Sequence, residues 1–200
     1  MDMDALMKIE YGLYCLTARK DNKDNGCIIN AVNQVTLTPC MVSVAVNKEN
    51  YTHDIILSSG EFNLSILTEK TPFSVFKNFG YQSGKTVDKF EKISVERSTN
   101  GIYYLSEYAN SFISGKVKQV IDLGTHSLFI AEVVEAKVLN AEPSVSYNYY
   151  LKNIKENLPT AAVKGWRCKI CGYVYEGDPL PADFICPLCK HGAADFEKIS

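Results

Sequence analysis

Two C-x-x-C pairs, Cys168–Cys171 and Cys186–Cys189, stand fourteen residues apart near the end of a 200-residue chain. Two thiolates at that spacing reach one ion from a tight turn, and two such turns supply four sulfurs in a tetrahedron. The 37 residues from Lys164 to Ser200 can bury little apolar surface, so a stretch of this length calls for a metal or a disulfide. Ion binding would then supply most of its folding free energy. Spacing alone admits zinc or iron. Gly172 permits the backbone turn that aims amide N–H groups at the sulfurs, and Pro187 stiffens the second turn. Trp166, Tyr173, Tyr175, Phe184 and Phe196 can pack an aromatic shell that limits water access and tunes a redox potential.

The pattern C-x-x-C-G-Y-x-Y … P-x-D-F-x-C-P-x-C, over residues 165–199, resembles rubredoxin in the shortened form appended to other redox domains. The resemblance implies that Cys168, Cys171, Cys186 and Cys189 hold a single iron that carries one electron. Read from the residues alone, a structural zinc ribbon stays open. The start, MDMDALMKIEYG, is acidic where a signal peptide is basic, and it lacks an apolar core. Seven cysteines without an export signal point to a reducing cytoplasm, where thiolates serve metals rather than disulfides. Cys15, Cys27 and Cys40 lie far apart in β-like segments and read as small buried hydrophobes.

The net charge of −2 gives no electrostatic case for nucleic acid or an anionic membrane. No apolar run approaches the length of a membrane span. The composition shifts at KENLPTAAVKG, which sets the boundaries: a first domain over 1–154, a linker over 155–164 and a second domain over 165–200. A linker of that length spans roughly 35 Å fully extended and about 16–19 Å as a coil. The second domain carries equal numbers of basic and acidic residues, five of each over 164–200, so it offers no strong steering charge.

The first domain reads mainly as β. Strand-formers fill 11–19 and 41–48, residues 27–38 alternate imperfectly up to Pro39, and 111–123 with 126–139 read as a hairpin across Gly124 and Thr125. Two short helices are expected. One runs over 50–60 with Asn50 as N-cap; the other over 71–80 has Thr71 as N-cap, Pro72 in the first helical position and Gly80 as stop. The fold class is mainly β: a closed or partly closed barrel with short helices, plus a small metal-bound domain.

Neither a G-x-G-x-x-G dinucleotide turn nor a phosphate-binding G-x-x-x-x-G-K-[ST] loop occurs. Polar clusters do occur at strand ends: residues 33–39, 47–52 and 79–85. Their hydroxyls, amides and lysines suit a phosphate and a polyhydroxy chain. The stretches GCIINAVNQVT, SVAVNKENYTHDII, GEFNLSIL, FGYQSGKTVDKF and IDLGTHSLFIAEV resemble the flavin reductase-like family, the flavoredoxin-type FMN-binding split barrels. That resemblance, over about residues 8–140, implies a homodimer of six-stranded Greek-key barrels that binds FMN near the subunit interface and takes hydride from NADH or NADPH. By position it implies Thr36 and Thr38 at the flavin loop, and Asn47, Lys48 and Asn50 at the ribityl chain and phosphate. Ser83, Gly84 and Lys85 fall at the phosphate end, and His126 beside the flavin or nicotinamide ring as the catalytic residue. Where the family often has arginine then aspartate, this chain has Lys85 and Thr86; lysine keeps the charge without the bidentate fork. His53 reads as capping or packing on its helix, Asp88, Lys89 and Lys92 as a solvated charged face, and Tyr147, Tyr149 and Tyr150 as a core or a dimer-contact cluster, with core the expectation.

Together the halves resemble the high-molecular-weight rubredoxins of anaerobes. The expected function is an FMN-dependent oxidoreductase that passes electrons from NAD(P)H through FMN to an iron centre held by four cysteines. A redox partner, such as a flavo-diiron oxygen or nitric oxide reductase, would follow. The alternatives are a free-flavin or ferric reductase with a structural zinc ribbon, and a non-catalytic electron carrier.

Overall fold

The computed structural model describes residues 5, 8–155, 165–169, 173–186 and 192–199. The chain divides into two compact units, residues 1–155 and 156–200. The first is built on strands β1 (Tyr14–Lys20), β2 (Lys23–Ile29), β3 (Val32–Leu37), β4 (Cys40–Asn47), β5 (Glu61–Leu67), β6 (Glu96–Arg97), β7 (Tyr103–Tyr104), β8 (Ala109–Asp122) and β9 (His126–Val138). Helices α1 (Tyr51–Ser59) and α2 (Phe73–Gly80) connect them. Seven of these strands form one sheet in the order β2-β1-β5-β8-β9-β4-β3, and β6 pairs with β7 in a separate two-stranded sheet.

The two edges of that sheet, β2 and β3, are consecutive in the chain and joined by Asn30 and Ala31 alone. Two residues span less than about 10 Å, so the sheet must curl until its edges meet at that end. No ladder joins β2 to β3, which leaves the cylinder split. The expected single strand over 27–38 is therefore two strands. Ala31 offers its carbonyl to the Ala45 amide, and the chain leaves β1 to pair with β4 there. This division makes seven strands where six were expected.

The barrel interior holds Leu16, Val44, Val46, Phe62, Leu64 and Phe129, all fully buried. A second core lies under α2, where Phe76, Phe79, Leu105 and Tyr150 pack with Cys15. Tyr147 and Tyr149 pack partly against it, so the tyrosine group adjoins core, as expected. Cys15 and Cys27 are buried, while Cys40 is half-buried. The second helix begins one residue later than the sequence suggests. Pro72 holds the extended N-cap conformation, while the Thr71 hydroxyl accepts from the Thr68 amide and donates to the Tyr108 carbonyl. A threonine already engaged there is not available to cap.

Close packing makes one glycine indispensable to the barrel. A Cβ on Gly115 would lie 2.4 Å from the Phe62 ring, which is itself fully buried. Gly115→Ala is expected to cost about 1–3 kcal/mol through overpacking, lowering the thermal midpoint by a few degrees on a differential scanning calorimeter. An unchanged midpoint would mean that Phe62 has room to turn.

The second unit is a three-stranded sheet, β11-β10-β12, from β10 (Gly165–Cys168), β11 (Val174–Tyr175) and β12 (Phe196–Ile199). Among the described residues, no helix is long and apolar enough to cross a membrane.

Candidate flavin and metal sites

The N-terminus of α1 is the focus of the first unit. Asn50 enters it in an extended conformation without a side-chain cap, so the first-turn amides keep unsatisfied donors and a positive potential. Asn47, at the end of β4, accepts the Glu49 amide on its side chain and the Asn50 amide on its carbonyl. Directly across the ladder, Asn47 faces His126. The Lys48 amide donates to the Thr125 carbonyl, and its ammonium sits 2.6 Å from Asp122. The Lys48 ammonium, aided by the Gly124 amide, holds the Asp122 carboxyl below the usual carboxylate range. The β8–β9 turn and the start of α1 are thus pinned together.

From the other side, the loop after α2 reaches the same helix end. The Lys85 ammonium lies 5.5 Å from the Tyr51 ring centre, and that of Lys23, the first residue of β2, lies 5.2 Å from it. Among the described residues neither lysine pairs with a carboxylate. Gly84 is buried against β2: a Cβ there would come within 1.8 Å of Asn25 Oδ1. Asn25 is held in turn, its amide donating to the Thr52 hydroxyl at 2.9 Å. Two cations unpaired with carboxylates, both over the ring of the first residue of α1, suit an anion at that helix end, and the residues present fit the phosphate end of a flavin nucleotide.

Of the sequence-predicted residues, Asn47, Lys48, Asn50, Ser83, Gly84, Lys85 and His126 therefore come from three segments to one end of the sheet. Thr36 and Thr38 do not join them. They lie exposed at the opposite end of β4, about 23 Å away at 3.3 Å per residue. There the Thr36 hydroxyl donates to the Pro39 carbonyl. His126 is half-exposed, with Nδ1 2.9 Å from the Thr125 hydroxyl. His53 is buried instead and packs from α1 against β9, Nε2 2.9 Å from the Ser127 hydroxyl and its ring edge-on to Phe129, and it does not cap the helix.

Lys23, Asn25 and Tyr51 also reach this end without having been singled out. Lys23 carried no signal, because a lysine beside a hairpin turn is ordinary. Lys89 is a correction. Expected on a solvated face, it is 4% exposed, its ammonium donating to the Gly26 and Phe79 carbonyls at 2.9 and 3.0 Å. The sequence window DKFEK is charged, and charge alone does not reveal that two backbone carbonyls compensate one of its lysines.

In the second unit, Cys168 ends β10 and its amide donates to the Tyr173 carbonyl at 2.8 Å, closing one loop. Cys186 follows Ile185, which bridges to Gly192 and closes the other. Both cysteines are buried in one cluster with Phe196, packed by Trp166, Tyr173, Tyr175 and Phe184. Phe184 stands at its centre, 4.6 Å from Tyr175 and 5.3 Å from Phe196 between ring centres. The predicted ligands Cys171 and Cys189 lie outside the described residues. Two thiols at the roots of two closed loops, in an apolar shell, fit a soft thiolate-bound metal.

Comparison with known proteins adds independent findings. A family model described as flavin reductase like domain matches residues 6–156, and one described as rubrerythrin, rubredoxin-like domain matches residues 166–197. The chain is 34% identical to a high molecular weight rubredoxin of Moorella thermoacetica, over the full length of both chains. It is 35% identical to a ferric-chelate reductase (NAD(P)H) of Archaeoglobus fulgidus, over 82% of this chain and 97% of that one. Among solved structures, an NADH:FAD oxidoreductase of Streptomyces globisporus superposes with a TM-score of 0.64 at 19% identity, covering 71% of this chain and 84% of that one.

Proposed function

Because the chain belongs to the flavin reductase-like family and ends in a rubredoxin-like domain, we propose that it is an oxidoreductase that takes electrons from NAD(P)H onto FMN and passes them to an iron held by four cysteines. FMN, when bound, would accept one hydride, which carries an electron pair, and release the electrons singly, while a four-sulfur iron takes one at a time. The protein's own part is placement. Lys23 and Lys85 neutralise the phosphate at the N-terminus of α1. Asn47 and Asn50 flank the ribityl chain, and His126, across the ladder from Asn47, stands beside the ring. Cys168, Cys171, Cys186 and Cys189 hold the iron, and Phe184 with its neighbours keeps water from it. The single observation that supports the reading is the presence, in one chain, of two lysines unpaired with carboxylates at the start of α1 and of two buried cysteines in an aromatic shell.

The working form in this reading is a homodimer. Leu37 on β3 and Val138 on β9 are 79% and 76% exposed, apolar surface of the kind that a second copy covers. A second copy would also bring a Thr36–Thr38 turn to the far end of the flavin. The external acceptor is a redox protein such as a flavo-diiron reductase, and the thiolate-rich tail suits a reducing cytoplasm.

The test is an absorbance spectrum of natively purified, anaerobic protein with metal analysis, before and after adding NADH or NADPH. Flavin and ferric-thiolate bands that both fade support the relay. A flavin that neither donor bleaches points to a carrier reduced by another protein. The similarity to a ferric-chelate reductase favours a second reading, reduction of ferric chelates or free flavin, and zinc in place of iron would support it.

A further inference from the structure

The loop that carries Lys85 has an anchor. Ser83 accepts the Thr86 and Val87 amides on its carbonyl and the Lys85 amide on its hydroxyl, so residues 83–87 form a compact turn. The loop over residues 83–89 touches β2 twice. Gly84 abuts Asn25, and Lys89, just beyond the turn, reaches the carbonyl of the next residue, Gly26. The Lys89 ammonium also caps the last turn of α2 through the Phe79 carbonyl, where an unsatisfied acceptor and the helix dipole both favour a cation. Its backbone is fixed as well, since the Asn78 side-chain amide donates to the Lys89 carbonyl at 2.6 Å.

A buried ammonium is retained against its desolvation cost only where acceptors surround it. Among the described residues no carboxylate pairs with Lys89. The titratable groups that face it are the buried thiols of Cys27 on β2 and Cys15 on β1. Burial pushes its pKa below the ordinary lysine value. The charge therefore depends on two carbonyls, one in β2 and one in α2, and ties those elements to the loop between them.

We propose that Lys89 is a positioning residue for the flavin phosphate: its buried ammonium locks residues 83–89 to β2 and α2, so that Lys85 is held over Tyr51 at the N-terminus of α1. Lys89 touches no ligand itself; it acts through Lys85. The proposal rests on reading that helix end as the phosphate site.

The test compares FMN with riboflavin, which lacks the phosphate, by titrating both into flavin-stripped full-length protein and following flavin fluorescence. Wild type binds FMN more tightly than riboflavin. In Lys89→Met, FMN affinity falls about tenfold, while riboflavin affinity changes less than about twofold. An unchanged FMN-to-riboflavin ratio overturns the proposal. So does an equal loss for both ligands, the mark of a merely structural role. Should Lys89→Met fail to fold, Asn78→Ala frees the same backbone more gently; its FMN affinity falls about threefold with riboflavin unmoved, and equal affinities to wild type overturn the proposal. A wild type that does not discriminate the two flavins instead defeats the phosphate assignment itself.

Discussion

Cys186→Ser is expected to remove the metal from the C-terminal unit, erase the ferric-thiolate absorption and unfold residues 165–199, while the first unit still binds and reduces FMN. The described core of this unit is Cys168, Cys186 and Phe196, two of which are the proposed ligands. Without an ion, such a core cannot offset the chain entropy of some 35 residues, at roughly 1–2 kcal/mol each. In small thiolate domains metal binding contributes about 10–16 kcal/mol, so most of the folding free energy goes with the site. Salt links such as Lys198–Asp178, 2.8 Å apart and half-exposed at both ends, are screened by solvent and do not replace the metal. Metal analysis, amide hydrogen exchange and the visible spectrum check this together. Exchange should reach the unprotected limit over 165–199 and stay slow in β8 and β9. Retained metal would assign Cys186 to packing. A flavin that NAD(P)H no longer reduces would contradict two units that fold separately.

That contrast reflects how the two halves are written in the sequence. The C-terminal unit was legible because its chemistry is local: two C-x-x-C pairs, a glycine, a proline and five aromatics stand within 31 residues, Trp166 to Phe196. Chain entropy and ligand geometry leave few ways to satisfy them. The barrel was legible in its strands but not in its closure. Alternation reports which residues face inward, yet nothing in CIINAVNQVTLT marks Asn30 and Ala31 as the step from one sheet edge to the other. That step follows from pairing with β1 on one side and β4 on the other, and both partners are distant in sequence. The flavin end divides the same way. Asn47, Lys48 and Asn50 were visible as one polar run and Lys85 as the lysine of another, and the resemblance supplied His126. Lys23, Asn25 and Lys89 were invisible because their roles come from contacts over long sequence separations. Asn25 bonds Thr52, and Lys89 reaches Gly26. A charged residue reads as solvent-facing by default, and only the fold reveals the carbonyls waiting for it.

Gly84→Ala tests whether that assembled end grips the phosphate. The added methyl would come within 1.8 Å of Asn25 Oδ1 and 2.6 Å of Asn25 Cγ. A flexible surface side chain could swing away, but Asn25 is 3% exposed and its amide donates to the buried Thr52 hydroxyl. Moving it leaves buried polar groups unpaired, at about 1–3 kcal/mol. Moving the loop instead carries Lys85 away from the Tyr51 ring at the start of α1. Breaking one charge-assisted hydrogen bond costs about 1.5–3 kcal/mol, so FMN affinity should fall on the order of ten- to a hundredfold. Riboflavin affinity should change little, because the ring and ribityl chain lie on the β4 and β9 side in this reading. Calorimetric titration with both ligands measures the two affinities. Because ligand binding adds to stability, the rise in thermal midpoint on adding FMN should shrink as well. FMN affinity within about twofold of wild type, with the variant folded, would place the phosphate away from the Ser83–Lys85 loop and leave Lys23 and α1 to hold it alone.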